Sequence, residues 1–515
     1  MPVHTLLKRN TYVDSVTLMR VSTAASKLDG VNKAFVAMGT PMNKSVLRDL
    51  GLVDETIESA ATADLMIVVD LKDEGSFEET LKKIEELLAR KPKTDNGQIQ
   101  ESFHSLAAAA EANPESNFVV ISVNGAFAAR EARKALKLGK HVMLFSDNVS
   151  IEEELSLKEL AHEKGLLMMG PDCGTAIING VGLGFANRVR RGNIGVVAAS
   201  GTGAQEVSVR IHEFGGGISQ LIGTGGRDLS ETINARMMLD GLAMLAEDPQ
   251  TEIIMVVSKP PAAAVAQRVI DCASKINKPV FIQFLGWQGD NHPTENVHIF
   301  AHSKPAAMAA VIASGIPEEM IDKHALNWPL IEEVRGKLKP EQKYIRGLFC
   351  GGTLCDEALF AASAKYDNVY SNIHPDPQKR IGPNDKSIAH TFLDFGDDAF
   401  TNGRAHPMID PTYRIERILQ EGRDPEVGCL LLDFVLGFGA SSDPVGLTLD
   451  ALKTVKHQAQ QEGRHLEVLA YVLGTDLDEP DVKSQVAMLE EAGITIASSS
   501  TNAGLLAREF VFKGE

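Results

Sequence analysis

The side chains best suited to chemistry lie in glycine-rich turns that follow apolar runs of sequence. The first turn follows the run 194–198 and consists of Ser200, Gly201, Thr202 and Gly203. At the start of a helix, unpaired backbone N–H groups point outward and the helix dipole adds about half a positive charge. Because glycine lets an anion approach the backbone closely, this turn predicts a phosphate site. An ordinary capped helix start is the alternative.

A second turn of the same kind occurs later in the chain. It contains Gly351, Gly352 and Thr353, and Asp356 follows three residues after Thr353 as in a capping box. Two such turns in matched positions favour an anion site over two unrelated helix starts.

Two further glycine-rich segments end strands and are expected beside the ligand. One is the loop 223–228, which contains Gly225 and Gly226, and it is matched later by 396–398. The other is the turn 170–174, which contains Pro171 and Asp172. Ligands of open α/β sheets bind at the carboxyl ends of strands, where these segments fall. Alternatively, the glycines serve only positive φ angles.

The segment 404–411 is dense in functional side chains. Arg404 is suited to bind a carboxylate or phosphate with two hydrogen bonds. His406 is a candidate acid, base or phosphoryl carrier, and Asp410 is a candidate to orient it. A rigid loop between two prolines, with a locally satisfied histidine, is an equally good interpretation.

Other reactive side chains carry weaker signals. Arg227 is a candidate anion partner or a surface arginine, His302 is more typical of a helix start, and Cys173 lacks a companion histidine for thiol catalysis. The scattered cysteines indicate neither a disulfide framework nor a zinc site, so no metal is expected. No G-x-x-x-x-G-K-[ST] loop or ATP-grasp stretch occurs, which argues against independent ATP hydrolysis.

The composition restricts the class of partner. The chain has 515 residues and a formal net charge of −18, and only 5% of its residues are aromatic. Such a charge repels nucleic acid and anionic membranes, so a small anionic substrate would need focused local dipoles. No apolar stretch reaches the roughly 18 residues of a membrane span, and no signal peptide is recognisable. We therefore expect a cytoplasmic protein.

The elements that must position these turns alternate between strands and helices. They predict an α/β fold with a small N-terminal α+β unit (1–95), a linker at 91–100, a partial Rossmann-like, CoA-binding-type domain (100–188) and two flavodoxin-like domains (190–335 and 343–515). Four segments of the last domain parallel four of the preceding one in the same order, which indicates an internal duplication. A duplication supplies two helix N-termini for one site.

These motifs resemble a known family. LLMMGPDCGTA, NIGVVAASGTGAQEV, IGTGGRDL and KPVFIQFLG resemble the succinyl-CoA synthetase α-subunit over about 115–290, and the second repeat resembles the ligase domain of the β-subunit. NTYVDSVTLM, CGGTLCDEAL and FLDFGDDAFTNGRAHPMIDP are similar to the FdrA family of acyl-CoA-synthetase-like proteins over nearly the whole chain.

The resemblance implies a phosphate-bearing ligand between the two glycine-rich helix starts. It implies a subunit of an oxamate carbamoyltransferase-type enzyme that uses carbamoyl phosphate or phosphate and assembles into a homo- or hetero-oligomer. Two alternatives stay open: an NDP-forming acyl-CoA synthetase whose nucleotide domain lies on another chain, and a non-catalytic scaffold. CoA is a further candidate ligand, although the glycine-rich loop that holds it in the synthetases is replaced here by another N-terminal unit.

Overall fold

The computed structural model describes most of the chain. The described residues are 3–11, 13, 15–26, 28–40, 43–44, 47–48, 52–72, 77–89, 102–401 and 405–512. The predicted linker at 91–100 and the candidate Arg404 lie outside them. The chain divides into two compact units, one made of Met1–Ala112 and Phe400–Ala405, the other of Asn113–Ala399 and His406–Glu515.

The first unit contains the predicted N-terminal α+β structure. Strand β3 (Leu65–Leu71) pairs antiparallel with β1 (Val3–Lys8) on one side and with β2 (Val31–Met38) on the other. Apolar residues of β2, β3 and the first helix form its core. The helices in this unit are α1 (Ser15–Ser26), α2 (Glu55–Glu58), α3 (Phe77–Ala89) and α4 (Leu106–Ala112).

The second unit begins with a small parallel sheet. Its strands are β4 (Phe118–Ile121), β5 (His141–Leu144) and β6 (Met168–Met169), with β5 in the middle. The helices α5 (Gly125–Lys137) and α6 (Ile151–Glu163) connect them. The predicted βαβ unit of the partial Rossmann-like domain is thereby confirmed.

A seven-stranded sheet follows, in the order β13-β12-β11-β9-β10-β7-β8. Its strands are β7 (Thr175–Ile178), β8 (Val181–Gly184), β9 (Arg191–Ala199), β10 (Ile218–Gly223), β11 (Ile253–Ser258), β12 (Val280–Phe284) and β13 (Val297–Phe300). The helices that cover it are α7 (Gly201–Glu213), α8 (Arg236–Glu247), α9 (Ala263–Ala273) and α10 (Ser303–Ala313). β7 and β8 form an antiparallel hairpin that joins the sheet through β10.

A six-stranded parallel sheet completes the unit, in the order β15-β16-β14-β17-β18-β19. Its strands are β14 (Tyr344–Phe349), β15 (Val369–Ser371), β16 (His390–Asp394), β17 (Val427–Val435), β18 (Glu467–Leu473) and β19 (Thr495–Ile496). The remaining helices are α11 (Trp328–Lys337), α12 (Gly352–Ser363), α13 (Asp398–Thr401), α14 (Thr412–Glu421), α15 (Pro444–Gln461), α16 (Val482–Glu491) and α17 (Ser500–Phe510). Short 3₁₀ helices cover Glu318–Met320 and Pro377–Lys379.

The two large sheets share one strand order, which confirms the duplication. We number the strands of each sheet along the chain, starting with β9 as strand 1 of one sheet and β14 as strand 1 of the other, and we leave out the extra edge strand β15. Each sheet then contains the order 2-1-3-4-5 that is typical of flavodoxin-like folds. In such a sheet the switch point lies between strands 1 and 3, here β9 and β11 or β14 and β17. The ends of these strands carry the glycine-rich turns.

One feature of the sheets was not expected from the sequence. β7 and β8 lie in the segment assigned to the partial Rossmann-like domain, yet they pair into the sheet of the following domain. The domain boundaries therefore stay a prediction. Within the described ranges, no helix is both long and apolar enough to span a bilayer.

Candidate active site at the meeting of two helix starts

The two glycine-rich turns of the duplicated sheets contact each other. The Oγ of Ser200 and the Oγ1 of Thr353 share a hydrogen bond. The backbone N–H of Thr353 donates to the Oγ1 of Thr202 at 3.2 Å. The starts of α7 and α12 therefore converge, as the sequence predicted.

The first turn forms because β9 ends where a capping residue begins. Ser200 is extended and accepts a hydrogen bond from the N–H of Gly203 at 3.1 Å, so it is the N-cap of α7. A Cβ on Gly201 would meet no atom closer than 3.7 Å. The turn 170–174 therefore lies at van der Waals distance from Gly201, while Gly201 and Thr202 are themselves partly exposed.

The second turn has a different internal partner. The carboxylate of Asp433, on β17, accepts hydrogen bonds from the N–H groups of Cys350 at 2.7 Å and Gly351 at 2.8 Å. The Nη1 of Arg414 also donates to Asp433 at 2.8 Å. A carboxylate of the protein itself therefore occupies part of this helix start. The predicted capping box does not form, since Gly351 has no side-chain cap and Asp356 binds a lysine instead.

The turn 170–174 and the loop 223–226 pack against each other beside the first helix start. A Cβ on Gly225, whose φ is +89°, would lie 2.4 Å from the carbonyl oxygen of Pro171, so this contact requires glycine. A Cβ on Gly226 would lie 3.7 Å from the Oδ2 of Asp172. The structure thus brings these four predicted residues together near Gly201.

Arg227 is already bound within the protein. Its Nε donates to Glu154 at 2.8 Å and its Nη2 to the carbonyl of Val149 at 2.8 Å. Glu154 also pairs with the buried Lys158, which in turn binds Asp228 at 2.8 Å. Arg227 is therefore a weaker candidate for the anion partner, because its guanidinium links α6 to the loop after β10.

The cation nearest to the second turn is Lys259, directly after β11. A Cβ on Gly352 would lie 2.8 Å from Lys259 Nζ and 2.6 Å from Asp394 Oδ2. Lys259 also forms an ion pair with Asp356 at 3.7 Å. Although burial opposes the charged form, Asp356, Asp394 and Asp172 hold the pKa of Lys259 above its usual value.

The carboxyl groups around Lys259 are hard to ionise. Burial raises the pKa of Asp356 to about 6 and that of Asp394 to about 7, while Lys259 opposes both shifts. Asp172, in the turn 170–174, is by contrast exposed to water. Groups that change charge near neutral pH are typical of functional sites.

His406 lies at the edge of this cluster. A Cβ on Gly396 would lie 2.7 Å from the Nε2 of His406. Its Nδ1 accepts a hydrogen bond from the N–H of Met408 at 3.2 Å, which places the proton of the neutral ring on Nε2. Burial lowers the pKa of His406 to about 4, so the imidazole is neutral at physiological pH.

Asp410, the candidate to orient the imidazole, binds the start of its own helix. Its Oδ1 accepts hydrogen bonds from the N–H of Thr412 at 3.0 Å and from the hydroxyl of Thr412 at 2.6 Å. The carboxylate therefore holds the start of α14, and the ring of His406 packs against Phe185 at a centroid distance of 5.3 Å.

The remaining candidates fit a structural role. Cys173 is buried, and the loss of water around the thiol raises its pKa to about 12, which suppresses the thiolate. His302 is the first flanking residue of α10, and its buried Nδ1 lacks a partner among the described residues.

Sequence reasoning missed three groups of this site: Lys259, Asp394 and Asp433. Each had a signal, because each is a charged residue within or at the end of an apolar strand. Asp433 interrupts the run LLLDFV, Asp394 ends HTFLD, and Lys259 follows IIMVVS. A buried charge in such a run needs a partner, so a charged residue at this kind of position indicates a candidate site residue.

Three family models match separate parts of the chain. They are described as AllF, heavy metal-associated domain, for residues 1–105, CoA binding domain for residues 189–286, and CoA-ligase for residues 348–510. These matches, with the relatives below, confirm the likeness to the succinyl-CoA synthetase superfamily, and the similarity to CoA ligases suggests an enzyme of that kind. The resemblance to FdrA stays a prediction.

The chain is similar to curated proteins at two levels. It is 60% identical to the uncharacterized protein YahF of Escherichia coli K12 over 100% of both chains. It is 27% identical to the malate–CoA ligase subunit alpha of Methylorubrum extorquens, over 35% of this chain and 61% of that one. It is 26% identical to the ADP-forming succinate–CoA ligase subunit alpha of Aquifex aeolicus, over 33% and 57%. The matches to these two alpha subunits span only about three fifths of their length.

Solved structures resemble the chain more distantly. An apo dinucleotide-forming acetyl-coenzyme A synthetase 1 of Ca. Korarchaeum cryptofilum is 18% identical, with a TM-score of 0.32 over 82% of this chain and 87% of that one. An ATP citrate lyase of Methanothrix soehngenii in complex with citrate and coenzyme A is 13% identical, with a TM-score of 0.35 over 79% and 83%.

The first family model is described as heavy metal-associated, but residues 1–105 do not fit such a metal. Soft metals prefer thiolate ligands, and residues 1–105 contain no cysteine, because the first cysteine of the chain is Cys173. The histidines of this segment are His4 and His104. The segment therefore lacks a thiolate site for a heavy metal.

Proposed function

The chain belongs to the family of the Escherichia coli protein YahF, and from this premise we propose that it is a subunit of a ligase-related, carbamoyl- or acyl-transferring enzyme that binds a phosphate-bearing ligand at the starts of α7 and α12. The contact between Ser200 and Thr353 carries this proposal, because it brings two helix N-termini to one place. Two helix dipoles then act on one anion, together with the amides at the start of α7, since Asp433 already accepts from the amides of Cys350 and Gly351 before α12.

Carbamoyl phosphate suits this arrangement because it brings its own activated bond. The site then needs to hold the phosphate, orient the acceptor and stabilise charge as the bond breaks. The backbone of Gly201 and Thr202 supplies the approachable amides. His406, neutral with its proton on Nε2, donates a hydrogen bond to the acceptor or to the departing phosphate.

The second candidate is an NDP-forming acyl-CoA synthetase whose nucleotide domain lies on another chain. The matches to a CoA binding domain and a CoA-ligase model support it. CoA and nucleotide are its expected ligands, and a phosphorylated histidine is its expected intermediate.

A non-catalytic scaffold is the third candidate, and the occupation of the second helix start by Asp433 supports it. All three candidates assign partner chains to this protein.

Thermal-shift measurements with phosphate, carbamoyl phosphate, CoA and ADP separate these candidates. A ligand at 100 times its Kd adds about 2.7 kcal/mol to the stability of the native state and raises Tm. We expect Tm to rise with phosphate and carbamoyl phosphate. A rise with CoA and ADP alone favours the synthetase, and no rise with any ligand favours the scaffold.

A pair of glycine variants locates the site. Gly201→Asp places a carboxylate in the approachable space at the first helix start and should abolish the phosphate-induced shift. Gly336→Asp is the matched control, because a Cβ on Gly336 meets no atom within 4 Å. Equal ligand-induced shifts in the two variants would place the ligand elsewhere.

A further inference from the structure

The position of Lys259 is electrostatically unusual. Its ammonium lies over Gly352, at the positive end of the α12 dipole, where an anion is favoured and a cation is not. The carboxylates of Asp356, at 3.7 Å from the ammonium, and of Asp394, which lies over the same glycine, offset this cost. The unliganded site therefore holds a cation at a position where the dipole of α12 favours an anion.

The charged groups around Lys259 come from several elements. Asp356 belongs to α12, Asp394 ends β16, and Asp172 belongs to the turn 170–174. The thiol of Cys355 also lies within electrostatic reach of Lys259. The outer groups that act on these carboxyls are Asp147, Asp397, Asp398, Glu357 and the cation Arg227. Carboxyls thus outnumber cations in this cluster, so an entering anion meets repulsion unless a proton comes with it.

We propose that Lys259 is the anion-binding residue of this site and that the ligand group is a phosphate dianion, which takes Lys259 from Asp356 and Asp394 while one of these carboxylates gains a proton from solvent. This inference rests on the proposed function, because it assumes that the anion binds at the start of α12. The proton offsets part of the added charge: Lys259, Asp356 and Asp394 together carry −1 in the free site, and with the dianion bound they carry −2 when one carboxylate is protonated instead of −3 when it is not.

The direction of the pH dependence follows from the same exchange. In the free site Lys259 lowers the pKa of Asp356 and Asp394, although burial keeps both near neutrality. When Lys259 turns to the ligand and a negative charge arrives, both values rise, so the bound state holds more protons. Affinity for the dianion therefore rises as the pH falls from 8 to 6.

Isothermal titration of the full chain with sulfate tests this coupling. Sulfate stays doubly charged over this pH range, whereas phosphate itself titrates at a second pKa of about 6. Titrations at pH 7.5 in two buffers with different heats of ionisation give the number of protons taken up. We expect an uptake of about one proton in the wild type. Parallel titrations with phosphate and carbamoyl phosphate distinguish a free anion from a phosphoryl donor.

Variants assign the effect to Lys259. Lys259→Gln should weaken sulfate binding at least tenfold, Lys259→Arg should retain it, and Asp394→Asn should bind with less proton uptake. Lys134→Gln, on the surface of α5, is the matched control and should bind as the wild type does. Circular dichroism and Tm establish that each variant is folded.

The outcomes separate this inference from the proposed function. Binding that is independent of Lys259, or that takes up no proton, would overturn the inference and leave the phosphate site in place. No binding of any anion by the wild type would overturn both.

Discussion

At the scale of single residues, Asp433 is unusual because it is an acidic residue in a strand that is otherwise apolar and fully buried. It is fully buried in β17, yet it carries a carboxylate that binds Arg414 and the amides of Cys350 and Gly351. A buried charge is tolerated only when its hydrogen-bonding capacity is used, as it is here. The start of α12 is thus stabilised from inside the protein.

Removal of this carboxylate should be costly. Asp433→Ala removes the carboxylate that binds Arg414 and two amides, so Arg414 keeps only its bond to the backbone carbonyl of residue 433, and we expect a loss of roughly 3–5 kcal/mol in the free energy of unfolding. Urea denaturation measures this loss. Glu426→Ala is the control, because its pair with Lys343 is half exposed and should contribute roughly 1 kcal/mol or less. Similar losses in both variants would contradict the assigned role of Asp433.

Gly352 is a second residue whose substitution has a specific expected effect. Gly352→Ala places a methyl group on the Lys259 ammonium and the Asp394 carboxylate, which must both move. We expect weaker phosphate binding, measured by titration, with a folded protein. Gly336→Ala, in α11 with free space around it, should bind normally and gain up to about 1 kcal/mol in stability. Unchanged binding by Gly352→Ala would argue against an anion at this helix start.

Residue-level prediction succeeded where a pattern had a local cause. A glycine-rich turn after an apolar run marks a helix start from neighbours alone, so Ser200 and Gly351 were found. Lys259 and Asp433 were missed because their partners lie on distant elements, Asp356 on α12 and Arg414 on α14, and Asp394 was missed because it lies beside Lys259 only in the folded chain. The role of Asp410 beside His406 stays a prediction, and the Oδ1 of Asp410 binds Thr412 at the start of its own helix.

At the scale of elements, two helix starts offer a direct comparison. Ser200 caps α7 and Ser150 caps α6, each by accepting from the third following N–H. Only Ser200 also shares a hydrogen bond with another helix start, through Thr353. The first cap therefore joins two elements, whereas the second stabilises one.

The comparison yields a prediction on stability. Ser150→Ala should cost roughly 1 kcal/mol, the usual effect of a lost cap. Ser200→Ala should cost more, since Thr353 loses a buried partner. Urea denaturation of Ser200→Ala, Thr353→Val and the double variant gives the coupling energy. Additive effects of the two substitutions would show that the hydroxyl contact contributes no stability.

Strands and helices were predictable where their apolar runs were continuous. The four repeated strand segments were recognised because buried parallel strands are apolar on both faces. The short β13 and the hairpin of β7 and β8 were not, since these strands have only four residues each and much of the hairpin lies at a sheet edge. Pairing of that hairpin depends on β10, about forty residues away.

At the scale of the whole molecule, buried histidines make the fold sensitive to acid. Burial, with the nearby charge of Arg346, lowers the pKa of His390 to about 4. The unfolded chain therefore binds a proton there that the folded chain does not. Stability contributed by the neutral ring is present above about pH 6.5 and is lost as the pH falls towards 4.

Denaturation at several pH values tests this. We expect His390 to account for a decrease of up to roughly 3 kcal/mol in the free energy of unfolding between pH 6.5 and 4. His390→Phe should reduce the slope of stability against pH, with a constant offset from the lost bond to Ile345. His457→Gln, at an exposed position, should leave the slope unchanged. Asp394 titrates with the opposite sign, so the difference between wild type and variant is the informative quantity.

The architecture of the whole chain was more predictable than its site. The internal repeat predicted two like sheets, and two like sheets place two like turns at corresponding edges. Nothing in the repeat predicted that the second copy would fill part of its turn with its own carboxylate. That difference arises from one position on β17, which a comparison of repeats treats as an ordinary strand residue.

The presence of both large sheets in one polypeptide affects behaviour on dilution. Hydrogen bonds such as those from Asn187 to Asp478 and from Tyr471 to Glu206 join the two halves. In an enzyme that builds one pocket from separate polypeptides, the halves part when their concentration falls below the dissociation constant. Here a covalent tether keeps the two halves at a high effective concentration. The interface between the two halves therefore stays intact in a single isolated molecule.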